Sequence, residues 1–412
     1  MEFTLADFGI YATNLDDVLD EAVAYGKNGS LWERYQATKE LEEEAKEFDI
    51  TYSVDSEDVK TTVLEKTKNM GVKPKDAVIS REDGKFVIEK ETAGTQVDVE
   101  ASTKLIVEHF NDEWEAKGSE SFELVSMVKE AKIKEEALLK IQDKLGSYTT
   151  QFESGNDRAK NITLATSRIN GTVLMPGEEM SASDGMGERT EKNGYRPAGT
   201  YLNGEVVDGV GGGVCQVSTT LYNTVLNAEL EVTERSPHSM VVSYVPAAQD
   251  AAISAGYKDL KFRNNTEAPV YIEGYTKGGS VTFVIYGLET RAQGRTVKYI
   301  SETLSTTPRT DKFVEASNLT LGIKKSASGH TGKKAVLWKV IYEDGKEVSR
   351  EKVNTSNYIM SPNTYQVGTS SDNAEASAIV KKAISSQNRS KIQAAINKAN
   401  AMIESSKAPE TP

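Results

Sequence analysis

The stretch "DGVGGGVCQVSTTLYNTVLNAEL", residues 208–230, holds the single cysteine of a 412-residue chain, placed after three glycines and before a run with helical spacing. If residues 215–229 form a helix, a turn of roughly 100° per residue aligns Val214, Val217, Leu221, Val225 and Ala228 as one core-facing stripe. Cys215 then lies about 120° from that stripe, in a column with Thr219, Tyr222 and Leu226. The thiol falls in the first turn, where backbone N–H groups have no intrahelical partner. Unpaired N–H groups and the helix dipole favour an anion there, which lowers a thiol pKa. This predicts an exposed, acidic thiol. The three glycines allow close backbone approach to a substrate. Amides at Gly213, Val214 and Gln216 form a candidate oxyanion loop, with the Gln216 side chain as a further donor. The competing reading is a small cysteine buried for packing.

A thiolate nucleophile usually has a base beside it. The chain has three histidines. His109, in "LIVEHFND", reads as a surface or packing residue of a helix, and His330 sits in the turn "SGHTG", far from the cysteine in sequence. His238, in "ERSPHSMVVSYVP", follows the cysteine helix by one short connection and reads as the start of the next strand. A helix packed beside that strand can bring Cys215 and His238 together, so the pair is a candidate dyad that the residues by themselves leave open.

Outward from this stretch, the chain reads as a multidomain α+β protein. Residues 1–133 carry three helical runs, the Asp-Gly hairpin "SREDGKFVIEK", a further helix near 101–111 and a closing strand. Residues 134–292 carry helices near 157–169 and 215–229 among glycine-rich β-formers. Residues 293–369 show strands and turns only, including a second Asp-Gly hairpin in "KVIYEDGKEV". Residues 370–412 read as a helical tail fraying at its Pro-containing end. With 38% hydrophobic and 27% charged residues, the composition is that of a globular protein. The net charge of −13 argues against nucleic acid as a partner. One cysteine excludes an internal disulfide framework and a cysteine-based zinc site, and no metal or cofactor is expected. "GVGGGV" lacks the strand and acidic residue of a dinucleotide site. The opening residues do not read as a signal peptide, so any export signal or membrane anchor is expected outside this sequence.

Four segments resemble the VanW family: "INGTVLMPGEEMSASDGMGERTEKNGYRPAGTY", "GGGVCQVSTTLYN", "ERSPHSMVVSYVP" and "DLKFRNNTEAPVYI". The first domain resembles the peptidoglycan-binding domain that often precedes VanW. Residues 293–369 resemble the G-five type of extracellular β-module, notably in "TGKKAVLWKVIYEDGKEVS". The resemblance implies a protein on the extracellular face of a Gram-positive envelope, acting on peptidoglycan stem peptides. It also implies L,D-transpeptidase chemistry, with the family's cysteine on Cys215 and its histidine on His238. One departure is "VPAAQDAA", where relatives more often carry Gly-Arg before the aspartate.

The leading expectation is therefore thiol acyl transfer between stem peptides, giving 3-3 cross-links. Stem carboxylates call for cations, and Arg196 and Arg235, with Arg189, Lys258 and Arg263, are candidates. Tyr222 and Tyr244 are candidate walls of the substrate site. The flanking modules are expected to bind polymer and add nothing to the chemistry. The rival expectations are a cysteine peptidase or amidase on the same peptides, and a non-catalytic wall-binding scaffold.

Overall fold

A computed structural model describes residues 2–114, 121–202 and 205–407. They form an α+β, multidomain protein that divides into two compact units, Met1–Ile79 with Ile88–Leu138, and Ser80–Val87 with Leu139–Pro412.

The first unit opens with β1 (Tyr11–Ala12), α1 (Leu15–Ala24), α2 (Leu31–Glu43), β2 (Tyr52–Ser53) and α3 (Ser56–Thr67). Helices α2 and α3 start at polar caps. Ser30 and Glu33 form a reciprocal capping box on α2, and Asp55 accepts from the first-turn amides of α3. The hairpin β3 (Val78–Glu82) and β4 (Lys85–Glu89), whose residues Ser80–Val87 are grouped with the second unit, turns at Asp83 and Gly84, both at positive φ, as a two-residue Asp-Gly turn requires. β5 (Gly94–Val97), α4 (Val99–Asp112), β6 (Ser126–Lys129) and the one-turn α5 (Glu135–Leu138) follow. Phe8, Val54, Val59, Val63, Ile106 and Phe110 form this unit's core.

In the second unit come β7 (Asp143–Gln151), α6 (Asp157–Ile169), β8 (Thr172–Leu174), β9 (Glu179–Ser181), α7 (Ala182–Met186), β10 (Pro197–Leu202), β11 (Glu205–Val210) and α8 (Val214–Asn227). They are followed by β12 (Glu231–Arg235), β13 (Leu260–Arg263), β14 (Val270–Lys277) and β15 (Ser280–Gly287). An antiparallel sheet of order β7-β15-β14-β8 carries α6 and α8, and a smaller sheet of order β12-β13-β9 lies beside them. The chain then forms β16 (Arg295–Thr307), β17 (Asp311–Thr320), β18 (Gly322–Ala327), β19 (Gly332–Glu343), β20 (Lys346–Tyr358) and β21 (Asn363–Ser370). These build two three-stranded sheets, β16-β19-β20 and β17-β21-β18, with β17 and β21 parallel. The tail helices α9 (Ala374–Ile384) and α10 (Arg389–Lys407) close over Phe313, Tyr365 and Val367. The tail's expected fraying end falls at 408–412, outside the described residues.

Helix α8 is the centre of the second unit. Val217, Leu221 and Val225 of the expected stripe are fully buried, but so are Thr219 and Thr220. The column of Thr219, Tyr222 and Leu226, expected off the core, is buried as well. The helix satisfies its polar side chains internally, which lets them be enclosed. Thr220 Oγ1 donates to the Gln216 carbonyl at 2.7 Å, Thr224 Oγ1 to Thr220 at 2.9 Å, and Asn223 Nδ2 to Thr219 at 2.8 Å. The core around α8 also takes in Ala335, Leu337 and Tyr358 of β19 and β20. No gap in packing marks the boundary expected at residue 292.

Candidate active site

Backbone geometry brings the glycine run to the start of α8. Gly213, the residue before the helix, has φ 106°, in the left-handed range that favours glycine. A Cβ there would lie 2.9 Å from Arg158 Cγ. At Gly212 a Cβ would meet the Ala198 carbonyl oxygen at 2.4 Å, so β10 crosses directly against the loop. Gly213→Ala is expected to destabilise the protein by about 2 kcal/mol or more from the strained dihedral and the Arg158 contact. A lower thermal midpoint, with faster Cys215 alkylation below that midpoint as the loop loosens, would check this.

Cys215 is half-buried rather than exposed. Its thiol lies 3.4 Å from the Ile253 carbonyl oxygen and hydrogen-bonds the His238 ring. His238 does not open a strand. It lies in an irregular segment after β12, 5% exposed. Its Nδ1 faces Asp250 Oδ2 at 2.7 Å, and its backbone N–H donates to the same oxygen at 2.7 Å. Asp250 thus fixes the ring through two bonds, which leaves Nε2 to serve the thiol.

Asp250 is fully buried and was absent from the sequence expectations. Its other oxygen, Oδ1, accepts from Arg235 Nη2 at 2.9 Å and from the Tyr358 hydroxyl at 2.5 Å. Arg235 Nε donates to the Asp250 carbonyl at 2.6 Å. The segment carrying Asp250 is stitched to α8. Ser218 Oγ and Thr219 Oγ1 donate to the Ala251 carbonyl at 2.7 and 3.2 Å, and Asn223 Nδ2 donates to the Gln249 carbonyl at 2.8 Å. This is why the polar column of α8 is enclosed: it aligns the chain that delivers Asp250 to His238 and Ile253 to Cys215.

Electrostatics pulls thiol and imidazole toward their charged forms. Burial alone would raise the Cys215 pKa, but the hydrogen bond and charge of His238, with the charge of Arg189, outweigh it and hold the thiol below its ordinary value. Burial alone would lower the His238 pKa, but Asp250 and Cys215 raise it to about 9. For Asp250, burial is outweighed by His238 and Arg235, so the carboxyl stays below its usual range.

The other expected site residues divide. Tyr244 is half-buried, and its pKa is pushed well up, first by burial and then by the neighbouring Cys215. Arg196 is exposed, with its backbone held by Asn161. Arg189 is half-buried, with Nη1 bound to Ser183 and Gly187. Lys258 Nζ donates to the Pro237 carbonyl at 3.0 Å, one residue before His238.

Four expectations are corrected. Arg235 is enclosed and committed to Asp250 and Ser356, so it holds the triad rather than a substrate carboxylate. Tyr222 is 1% exposed, packs under the Arg235 guanidinium and accepts from Asn354 Nδ2 at 2.9 Å, so it is a core residue and not a substrate wall. The Gln216 side chain is buried, donating to Thr150 Oγ1 and the Gln151 carbonyl and accepting from Arg158, so it has no hydrogen left for an oxyanion. Finally, the Val214 and Gln216 N–H groups bond the Gly211 and Gly213 carbonyls at 3.3 and 2.9 Å. Those two amides are therefore already engaged and do not point out of the loop.

Arg263, another of the candidate cations, pairs with Glu231 and Glu179. His109 packs against Phe110 and Phe122 in the first unit, and His330 bonds Ser361 through its backbone. Gln249, where relatives more often have arginine, is buried and donates to the Tyr299 carbonyl at 3.1 Å.

The comparisons agree with the modular reading. Residues 157–286 match the family model described as "VanW like protein", residues 1–115 the one described as "Putative peptidoglycan binding domain", and residues 300–370 the G5 domain. The chain is 37% identical over 182 residues to the "Uncharacterized protein YoaR" of Bacillus subtilis, which covers 44% of this chain and 60% of that protein. It is 34% identical over 137 residues to the "Vancomycin B-type resistance protein VanW" of Enterococcus faecalis, covering 31% and 49%. The chain therefore spans about half to three fifths of the length of these curated relatives. Among solved structures, an IgA1 protease G5 domain matches at 28% identity over 19% of this chain and 94% of its own, with a TM-score of 0.15. The HP0197 G5 domain matches at 19% identity over 18% and 97%, with a TM-score of 0.13. Among the described residues no helix is long and apolar enough to cross a membrane. The chain carries a VanW-like domain, preceded by a domain of the peptidoglycan-binding type and followed by a G5 domain, and has YoaR and VanW among its homologues.

Proposed function

We propose that this protein is a cysteine-dependent acyltransferase of the cell wall, an L,D-transpeptidase acting on peptidoglycan stem peptides. Its VanW-like, peptidoglycan-binding and G5 domains support a cell-wall role. The observation that carries the chemistry is the continuous relay from the Cys215 thiol through His238 to Asp250. The thiolate sulfur of Cys215 attacks the carbonyl carbon of the third stem residue, and the negative charge passes to the carbonyl oxygen. The C–N bond then breaks, and His238 gives its proton to the departing amine of the terminal D-alanine. The resulting thioester is attacked by an acceptor amine, which passes a proton to His238 as the C–S bond breaks and Cys215 is restored. Asp250 keeps the ring oriented and stabilises its charged form throughout. The exposed Arg196, with Lys258 and Arg189 beside the dyad, supplies positive charge for stem carboxylates.

Incubating the full chain with a defined tetrapeptide muropeptide and reading products by mass spectrometry tests this. The expected result is an acyl adduct on Cys215 and a cross-linked dimer. A tripeptide product without dimer would make the protein a peptidase. Neither adduct nor product would leave it a wall-binding scaffold.

A further inference from the structure

Two residues of β20, in the G5 domain, reach the segment that carries Asp250, and a third reaches Arg235 on β12. Asn354 Nδ2 donates to the Ala248 carbonyl at 3.1 Å, and the Tyr358 hydroxyl accepts from the Ala248 N–H at 2.6 Å while donating to Asp250. Ser356 Oγ accepts from Arg235 Nη1 at 2.8 Å. Ala248 is fully buried and has φ 66°, a left-handed conformation that costs a residue with a Cβ and persists only where its surroundings enforce it. Here both polar groups of the Ala248 backbone are held by β20, and Asp250 follows two residues later.

We propose that Tyr358, Asn354 and Ser356 are positioning residues of the cysteine site: the G5 domain holds the strained turn at Ala248 and so sets Asp250 against His238. This rests on the acyl-transfer reading of Cys215. The clamp acts from two sides. Tyr358 and Asn354 fix the turn, and Ser356 orients the guanidinium that neutralises the Asp250 carboxylate. Without the clamp the turn relaxes toward negative φ, Asp250 withdraws from His238 Nδ1, and the imidazolium that stabilises the thiolate is held less well. Burial keeps Tyr358 protonated, its pKa pushed up to about 12, so it remains a donor across the working pH range.

The test is the pH dependence of Cys215 alkylation by iodoacetamide in the folded full chain, a readout that needs no substrate. In the unaltered protein the midpoint is expected below the free-thiol value of about 8.5. Tyr358→Phe is expected to raise that midpoint by at least about one pH unit, making alkylation roughly tenfold slower on the acidic limb. Asn354→Ala and Ser356→Ala are expected to shift it in the same direction, and they carry the test if Tyr358→Phe does not fold. Asn357→Ala, an exposed neighbour on β20, is expected to leave it unchanged. Folded variants titrating like the unaltered protein, or an equal shift from Asn357→Ala, would overturn the positioning role. An unaltered protein titrating near 8.5 would overturn the acyl-transfer reading itself, a distinguishable failure. Cross-linking with normal alkylation shifts but no adduct on Cys215 would point to the same distinct failure.

Discussion

Asp250→Asn is expected to lower acyl transfer by roughly 10⁴-fold, as loss of the carboxylate does in other nucleophile–histidine–carboxylate triads. Asp250 Oδ2 accepts from His238 twice, and an amide cannot accept at that oxygen's place and also balance an imidazolium. The cysteine should then titrate closer to an ordinary thiol. Stability falls too, by about 3–5 kcal/mol, because Arg235 is left enclosed with its charge uncompensated. The two effects separate by experiment. Alkylation of Cys215, measured well below the variant's thermal midpoint, reports the site, and the midpoint itself reports the fold. A folded Asp250→Asn variant with undiminished turnover would remove Asp250 from the mechanism.

A chain ending at residue 292 is expected not to fold to a stable domain, and to show neither thioester formation nor a slow-exchanging core. The sequence alone suggested the opposite, with residues 134–292 sufficient for chemistry. The structure gives two reasons for the reversal. Ala335, Leu337 and Tyr358 are within 2% of full burial in the same core as α8, and removing them exposes that core to water. The truncation also strips Asp250 and Arg235 of the Tyr358 and Ser356 hydroxyls, leaving buried polar groups unsatisfied at about 1–3 kcal/mol each. Circular dichroism and hydrogen exchange on the truncated chain would decide. A cooperative, protected domain would show the dependence to be wrong.

Much of the local structure was legible because it depends on near neighbours. The Asp-Gly turns, the capping residues and the 3.6-residue period of α6 and α8 lie within a few positions of the atoms they govern. The placement of Cys215 at a helix start was readable for the same reason. Asp250 was not, because its role comes from chain segments distant in sequence. One signal was present: a lone carboxylate in "VPAAQDAAI", an otherwise uncharged run, is costly to bury unless partners await it. The opposite error occurred at Arg235 and Tyr222, where a cation and an aromatic near the dyad were read as facing substrate. Composition does not distinguish a side chain that points into a cleft from one that braces it from behind. Periodicity misled at Thr219 for a related reason, since helical phase assigns a polar residue outward unless a second segment lies against it.

The bond from the Tyr358 hydroxyl to Asp250 spans 108 positions of sequence, and this orders events in the life of a newly made chain. Synthesis proceeds from the N-terminus, and residues fold as they become available. Cys215 and His238 emerge long before β20, so for that interval the nucleophile exists without the clamp on its carboxylate. On the positioning reading, the thiol is expected to be sluggish while the polypeptide is incomplete and to gain its full reactivity only when β20 pairs. If Cys215 is the nucleophile, its reactivity is expected to be a late product of maturation, delayed until the domain that follows the cysteine has been made and folded.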